Sequence, residues 1–167
     1  GYMSLRKAVA AKLERENGLS YKPEQIVVSN GAKQSLCNII LSTINHGDEV
    51  VIPTPAWVSY IEMVKLAEGV VKEVPATIEQ DFKVTPEQLA SALNEKTRMV
   101  LICSPSNPTG SVYTRDELQA LVDVLKEWPN VIILADEIYE HINYTGAFTS
   151  LGSFPETADR TVIVNGV

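Results

Sequence analysis

Short runs that are almost wholly apolar, and rich in β-branched residues, recur along this chain between longer stretches with apolar residues at helical spacing. The runs are Ile26–Val28, Glu49–Ile52, Val70–Val74, Met99–Cys103, Val131–Leu134 and Thr161–Val164. Between them, Leu5, Ala8, Val9 and Leu13 form one helical stripe, with Ser4 as a candidate cap and Gly18 as a stop. Ala32, Leu36, Ile39, Ile40 and Thr43 form a second stripe, which Gly47 closes, and Trp57–Ala67 reads as a third helix. Thr85-Pro86-Glu87 opens a fourth, running to about Leu93, with proline in its first turn. Thr114-Arg115-Asp116-Glu117 is a capping-box start for a fifth, reaching Trp128.

Strands without a polar face, alternating with helices, belong in a sheet buried on both sides. The expected fold is therefore α/β, three layers α/β/α around a mostly parallel sheet. The 167 residues suffice for one domain with a real core, and no repeat, low-complexity tract or linker divides them. Ligands of such sheets bind beyond the carboxyl ends of the strands.

Composition narrows the partners. Against 14 basic residues stand 21 acidic ones, a net charge of -7 spread along the chain, which argues against nucleic acid because a phosphate backbone needs a basic face. Cys37 and Cys103 lie in apolar contexts, without metal-ligand or disulfide spacing, and read as small buried thiols. No apolar run approaches the ~18 residues that span a bilayer, and no leader opens the chain, so no membrane association and a cytoplasmic location are expected. The chain begins almost directly in a helix and stops just past a β-like run, the pattern of an internal piece of a larger domain.

Four features fall just past strand ends. Ser29-Asn30-Gly31-Ala32-Lys33-Gln34 is a glycine turn into a helix N-terminus, where free N–H groups favour an anionic phosphate; taken alone it reads first as an ordinary strand-to-helix turn. Trp57, at a helix start after Pro53-Thr54-Pro55, can stack on a planar ring or simply pack in the core. Asn107, in the stiff loop Ser104-Pro105-Ser106-Asn107-Pro108-Thr109-Gly110, can offer its amide to a ligand oxygen, although such loops also serve as plain turns. Asp136 ends the apolar run Ile132–Ala135, where a carboxylate is costly without a partner, and Tyr139 follows three residues later. Asp136 or Glu137 serving Mg²⁺ in a nucleotide triphosphatase is disfavoured, since no phosphate-binding lysine loop is present.

Taken in order, NGAKQ, PAWVSY, SPSNPTG and ADEIYEHI resemble the fold-type I aminotransferases of the aspartate and aromatic class, over Leu5 to Val164. The resemblance implies pyridoxal 5'-phosphate as cofactor, an amino acid and a 2-oxo acid as small-molecule substrates in amino acid metabolism, and a homodimer. It assigns the ring nitrogen to Asp136, the ring's phenolic oxygen to Asn107 and Tyr139, stacking to Trp57, and the phosphate to the backbone of Gly31, Ala32 and Lys33. It also implies a cis Asn107–Pro108 bond. Lys33 fits a branch whose lysine meets the distal carboxylate of aspartate or glutamate, with Trp57 and Asn107 also lining the substrate; a solvated Lys33 whose backbone alone matters is the other reading. The family's Schiff-base lysine and its carboxylate-binding arginine match no residue here. The chain then corresponds to part of the large domain (1–167), without N-terminal arm, small domain or catalytic lysine, and is expected to be inactive by itself. A missing antiparallel strand is expected to leave a gap in the sheet beside Ile26–Val28. A β-lyase or cyclopropane-forming synthase of the same fold, or a non-catalytic binding module, are the alternatives.

Overall fold

The computed structural model describes residues 1–166. Among these residues are five helices, α1 (Met3–Asn17), α2 (Ala32–Thr43), α3 (Val58–Leu66), α4 (Pro86–Ala92) and α5 (Arg115–Leu125), and five strands, which alternate from α2 to β4. The strands are β1 (Glu49–Thr54), β2 (Val70–Pro75), β3 (Thr97–Cys103), β4 (Ile132–Asp136) and β5 (Thr161–Val164). They form one sheet in the order β2-β1-β3-β4-β5, and every pairing is parallel.

Alternate residues of the strands feed two cores, so both faces of the sheet are buried. Val50, Ile52, Met99, Leu101 and Leu134 pack with Leu36 and Ile40 of α2 and Tyr60 and Val64 of α3. Val51, Val100, Ile102, Ile133 and Ala135 pack on the other face with Leu89 of α4 and Leu118, Leu121 and Val122 of α5. The chain moves from β1 to β2 on one side and then crosses to β3 on the other. The crevice past the ends of β1 and β3 is therefore the topological switch point, where such sheets take ligands.

Several elements follow the expected local chemistry. Thr85 caps α4 and Thr114 caps α5, each accepting from the third residue onward, Gln88 and Glu117. Gly18 closes α1 at φ 67°, its N–H returning to the Glu14 carbonyl. Other boundaries differ. Ser4 does not cap α1, which starts after Tyr2. Helix α2 ends at Thr43, with Ile44 already extended, and Gly47 instead turns the chain into β1 at φ 85°. Helix α5 stops at Leu125, short of Trp128, because Pro129 disfavours helical backbone at the residue before it.

One expected strand is absent. Ile26–Val28 is unpaired, following a 3-10 turn at Pro23–Gln25, and Val27 is 79% exposed. A β-branched run becomes a strand only where a neighbour completes its hydrogen bonds. The five paired strands adjoin one another and Ile26–Val28 stands apart from β5, which agrees with the gap expected beside that run. Among the described residues no helix is long and apolar enough to cross a membrane.

Candidate functional site

Strand β4 carries Asp136 to the carboxyl edge of the sheet and buries it to 3% exposure. Its backbone carbonyl accepts the Ser104 N–H at 3.2 Å, which extends the β3–β4 ladder into the Ser104–Gly110 loop. That loop closes on itself through Ser106 N–H to Ser111 and Gly110 N–H to Ser106, both 2.9 Å. Its Asn107–Pro108 bond is cis, as expected, and Thr54–Pro55 and Ser104–Pro105 are cis as well.

The Asp136 side chain has two donors. The Tyr60 hydroxyl donates to Oδ2 at 2.6 Å, and the Ile138 N–H donates to Oδ1 at 3.3 Å. Tyr60 also meets Trp57 edge-on, ring centres 5.3 Å apart, and the Lys33 ammonium lies 4.8 Å from the centre of the Trp57 ring. Lys33, Trp57, Tyr60 and Asp136 thus form a continuous line of contacts from the start of α2 to the end of β4. On the neighbouring loops, the Asn107 amide donates to the Tyr139 hydroxyl at 3.2 Å. Because that oxygen accepts from Asn107, its own hydrogen is left for another acceptor.

The Gly31 turn joins this group through the Lys33 side chain, and Ala32 packs against the same core cluster as Trp57. Gly31 precedes α2 with φ 88° and ψ 161°, and Ala32 and Lys33 open the helix. A Cβ at Gly31 would meet nothing within 4 Å, so glycine is needed there for its backbone conformation rather than for space. The N–H groups of Ala32 and Lys33 precede the first bonds of the helix, which run from Gln34 and Ser35 to the Gly31 carbonyl, and are suited to an anion.

Burial raises the Asp136 carboxyl above the usual carboxylate range, and the hydrogen bonds from Tyr60 and Ile138 offset this only in part. Burial first, then the nearby charges of Cys103 and Asp136, push the Tyr60 phenol far up, so it stays a donor. Burial and Asp136 push the Cys103 thiol up to about 11. Tyr60 and Cys103 are therefore both held in their protonated forms beside the Asp136 carboxyl. A carboxylate has acceptor sites for about four donors and here receives two. A protonated heterocycle N–H fits that remaining capacity, and its positive charge would reverse the desolvation cost.

Sequence reasoning gave Tyr60 no role, although it stands three residues after Trp57 and so on the same helix face. Glu137, weighed from sequence only as a Mg²⁺ ligand, is instead buried to 3% exposure and accepts from the Ser150 hydroxyl at 3.0 Å and the Leu151 N–H at 2.8 Å. Neither Ser150 nor Leu151 carries any local pattern that marks it as the partner of a carboxylate 13 or 14 residues earlier.

Residues 1–167 match the family described as aminotransferase class I and II. The chain is 50% identical, over 99% of its length, to the bifunctional aspartate aminotransferase and glutamate/aspartate-prephenate aminotransferase of Petunia hybrida, and covers 35% of that protein. It is 47% identical over its whole length to the aspartate/prephenate aminotransferase of Nitrosomonas europaea, covering 43% of it. The crystal structure of the aspartate aminotransferase from Rhizobium meliloti superposes with a TM-score of 0.98 at 41% identity, over 100% of this chain and 42% of that one. The aspartate aminotransferase from Thermus thermophilus with maleate superposes with a TM-score of 0.95 at 42% identity, over 100% of this chain and 43% of that one. The chain thus spans less than half the length of these relatives.

Proposed function

This chain belongs to the class I and II aminotransferase family, and on that premise we propose that it builds the cofactor cradle of an enzyme moving an amino group between an acidic amino acid and a 2-oxo acid. The cofactor would be pyridoxal phosphate. When bound, it supplies an electron-withdrawing ring that lowers the cost of breaking a bond at the substrate's α-carbon.

The observation that carries the proposal is the buried Asp136, held by Tyr60 and Ile138 with acceptor capacity to spare. In this reading Asp136 keeps a proton on the ring nitrogen, since an adjacent negative charge favours the protonated heterocycle. Tyr139, whose hydrogen is free, and Asn107 bond the ring's phenolic oxygen. Trp57 covers the ring face. The N–H groups of Gly31, Ala32 and Lys33 take part of the phosphate. Lys33, at the same edge, meets the distal carboxylate of the amino donor, and the names of the relatives, which specify aspartate and prephenate, support an acidic donor.

No lysine of the chain is placed by the resemblance where the family bonds its cofactor. The residues in hand therefore bind and orient, and the bond-forming lysine belongs to another segment of the complete enzyme, which we propose to be a homodimer. The test is Asp136→Ala in that complete enzyme. Amino transfer from aspartate to 2-oxoglutarate should be abolished while the fold persists; near-normal turnover would remove Asp136 from the site and the proposal with it.

A further inference from the structure

We propose that the ion pair between Lys12 and Glu140 is a brace through which helix α1 fixes the position of Tyr139. This deepens the reading above, since it takes Tyr139 as a ring-contacting residue.

Helix α1 is poorly held by apolar packing. Leu13 is its one buried residue, and Leu5 of the same stripe is 39% exposed. Its polar contacts run the other way, into the interior. The Lys12 ammonium meets the Glu140 carboxylate, whose side chain is 3% exposed, across 128 residues of sequence. Asn17, at the end of α1, donates to the other Glu140 oxygen at 2.8 Å and accepts from Lys12 at 3.0 Å. His141, at the rim, comes to 3.1 Å of the same carboxylate, and Glu16 lies 3.5 Å from Lys12. Glu16, Glu140 and His141 could together face a cation, but the Lys12 ammonium already fills that role.

Glu140 directly follows Tyr139, and the two belong to one tight turn. The Glu140 N–H returns to the Glu137 carbonyl at 3.0 Å, and the Ile142 N–H to the Tyr139 carbonyl at 2.8 Å. Glu137 is itself pinned by Ser150 and Leu151. Tyr139 therefore hangs between two buried carboxylates, one tied to the chain beyond it and one to α1. Without the Lys12 pair, whether residue 140 is left charged or made neutral, its side chain keeps only the Asn17 amide on α1 and is free to swing outward. If Glu140 swings out, the backbone on which Tyr139 sits turns with it, and its hydroxyl loses the Asn107 contact. Lys12 is a positioning residue in this scheme: it acts on the site only through Glu140 and Tyr139.

The test uses the complete enzyme loaded with pyridoxal phosphate, and reads the pH midpoint at which the absorbance of the bound cofactor changes. A donor to the phenolic oxygen favours its deprotonated form, so losing Tyr139 should raise that midpoint. Tyr139→Phe calibrates the shift. Lys12→Met should shift the midpoint the same way, and Lys12→Arg should leave it in place. Because Lys12→Met alone strands a buried charge and endangers folding, Lys12→Met combined with Glu140→Gln removes both charges and should still shift it. On a Tyr139→Phe background, Lys12→Met should add nothing further, whereas a general loosening of the fold would add. A folded Lys12→Met/Glu140→Gln enzyme with the parental midpoint, or additive shifts, overturns the brace. If Tyr139→Phe itself moves nothing, or the parent takes up no cofactor, it is the underlying assignment of the site that fails.

Discussion

Tyr60 and Asp136, 76 residues apart, share a 2.6 Å hydrogen bond at the point where helix α3 meets the end of strand β4. The contact joins the β1 and β4 ends of the sheet across β3, and it couples the aromatic side of the site to the acid. A hydrogen bond to a charged acceptor contributes about 1.5–3 kcal/mol, more than most pairs in the fold. Tyr60→Phe keeps the ring in its pocket and removes only the donor. Asp136 then keeps the Ile138 N–H alone, and its carboxyl rises further. In the complete enzyme, cofactor affinity should fall by roughly 10-fold or more, with the acid side of its pH profile moving to higher pH. Unchanged affinity from pH 5 to 8 would show that Asp136 does not depend on Tyr60.

Glu137 gives the fold a pH dependence of its own. Burial pushes its carboxyl up to about 7, while Ser150, Leu151 and Lys12 pull it down and Asp136 adds repulsion. In the unfolded chain it returns to about 4.5. Between those values the unfolded state has released a proton that the folded state keeps, so stability falls as pH rises from 4.5 towards 7. Glu137→Gln retains an acceptor for the Ser150 hydroxyl and the Leu151 N–H and removes the ionisation. The variant should lose this slope, and the stability difference between the two proteins should change by roughly 3 kcal/mol across the interval. Urea midpoints of the cofactor-free protein at pH 5 and 8 measure it; parallel slopes for both would contradict the buried, raised carboxyl.

Where local chemistry decided the outcome, the sequence was readable. The caps at Thr85 and Thr114, the left-handed Gly18 and the five paired strands all follow from residue type and spacing. The candidate residues Trp57, Asn107, Asp136 and Tyr139 could be located because each falls just past a strand end, where an α/β sheet offers its rim. What could not be read depended on pairing at a distance. Ile26–Val28 has the composition of a strand but no neighbour, and composition cannot supply one. Tyr60, Glu137 and the Lys12–Glu140 pair matter through partners 13 to 128 residues away. Their identity as buried polar groups exists only once the chain has folded.

Thr114 offers a local test of stability that leaves the site alone. Its hydroxyl accepts the Glu117 N–H at 3.2 Å, and the Glu117 carboxylate accepts the Thr114 N–H at 2.7 Å. Thr114→Ala removes half of this box and should cost about 1 kcal/mol, read as a lower urea midpoint. Glu117 also holds Lys83 at 2.8 Å, so Glu117→Ala should cost at least as much. Equal stability of parent and Thr114→Ala would mean that α5 is held by Leu118, Leu121, Val122 and Leu125 without help from its cap.

Lys33 separates the substrate question from the cofactor question. Its backbone belongs to the helix start, while its ammonium sits over Trp57. A cation over a half-buried indole contributes ~0.5–2 kcal/mol, enough to bias the side chain towards the site but too little to fix it there. A distal carboxylate of the donor would compete for the same ammonium at greater gain, because charge-assisted hydrogen bonds are stronger than neutral ones. Lys33→Ala should therefore raise KM for aspartate by about 10-fold, with kcat and cofactor affinity little changed, and leave KM for a donor without a distal carboxylate where it was. An equal rise for both donors would assign the loss to the α2 N-terminus or to Trp57. No rise for either would return Lys33 to solvent and leave its N–H group as its one contribution.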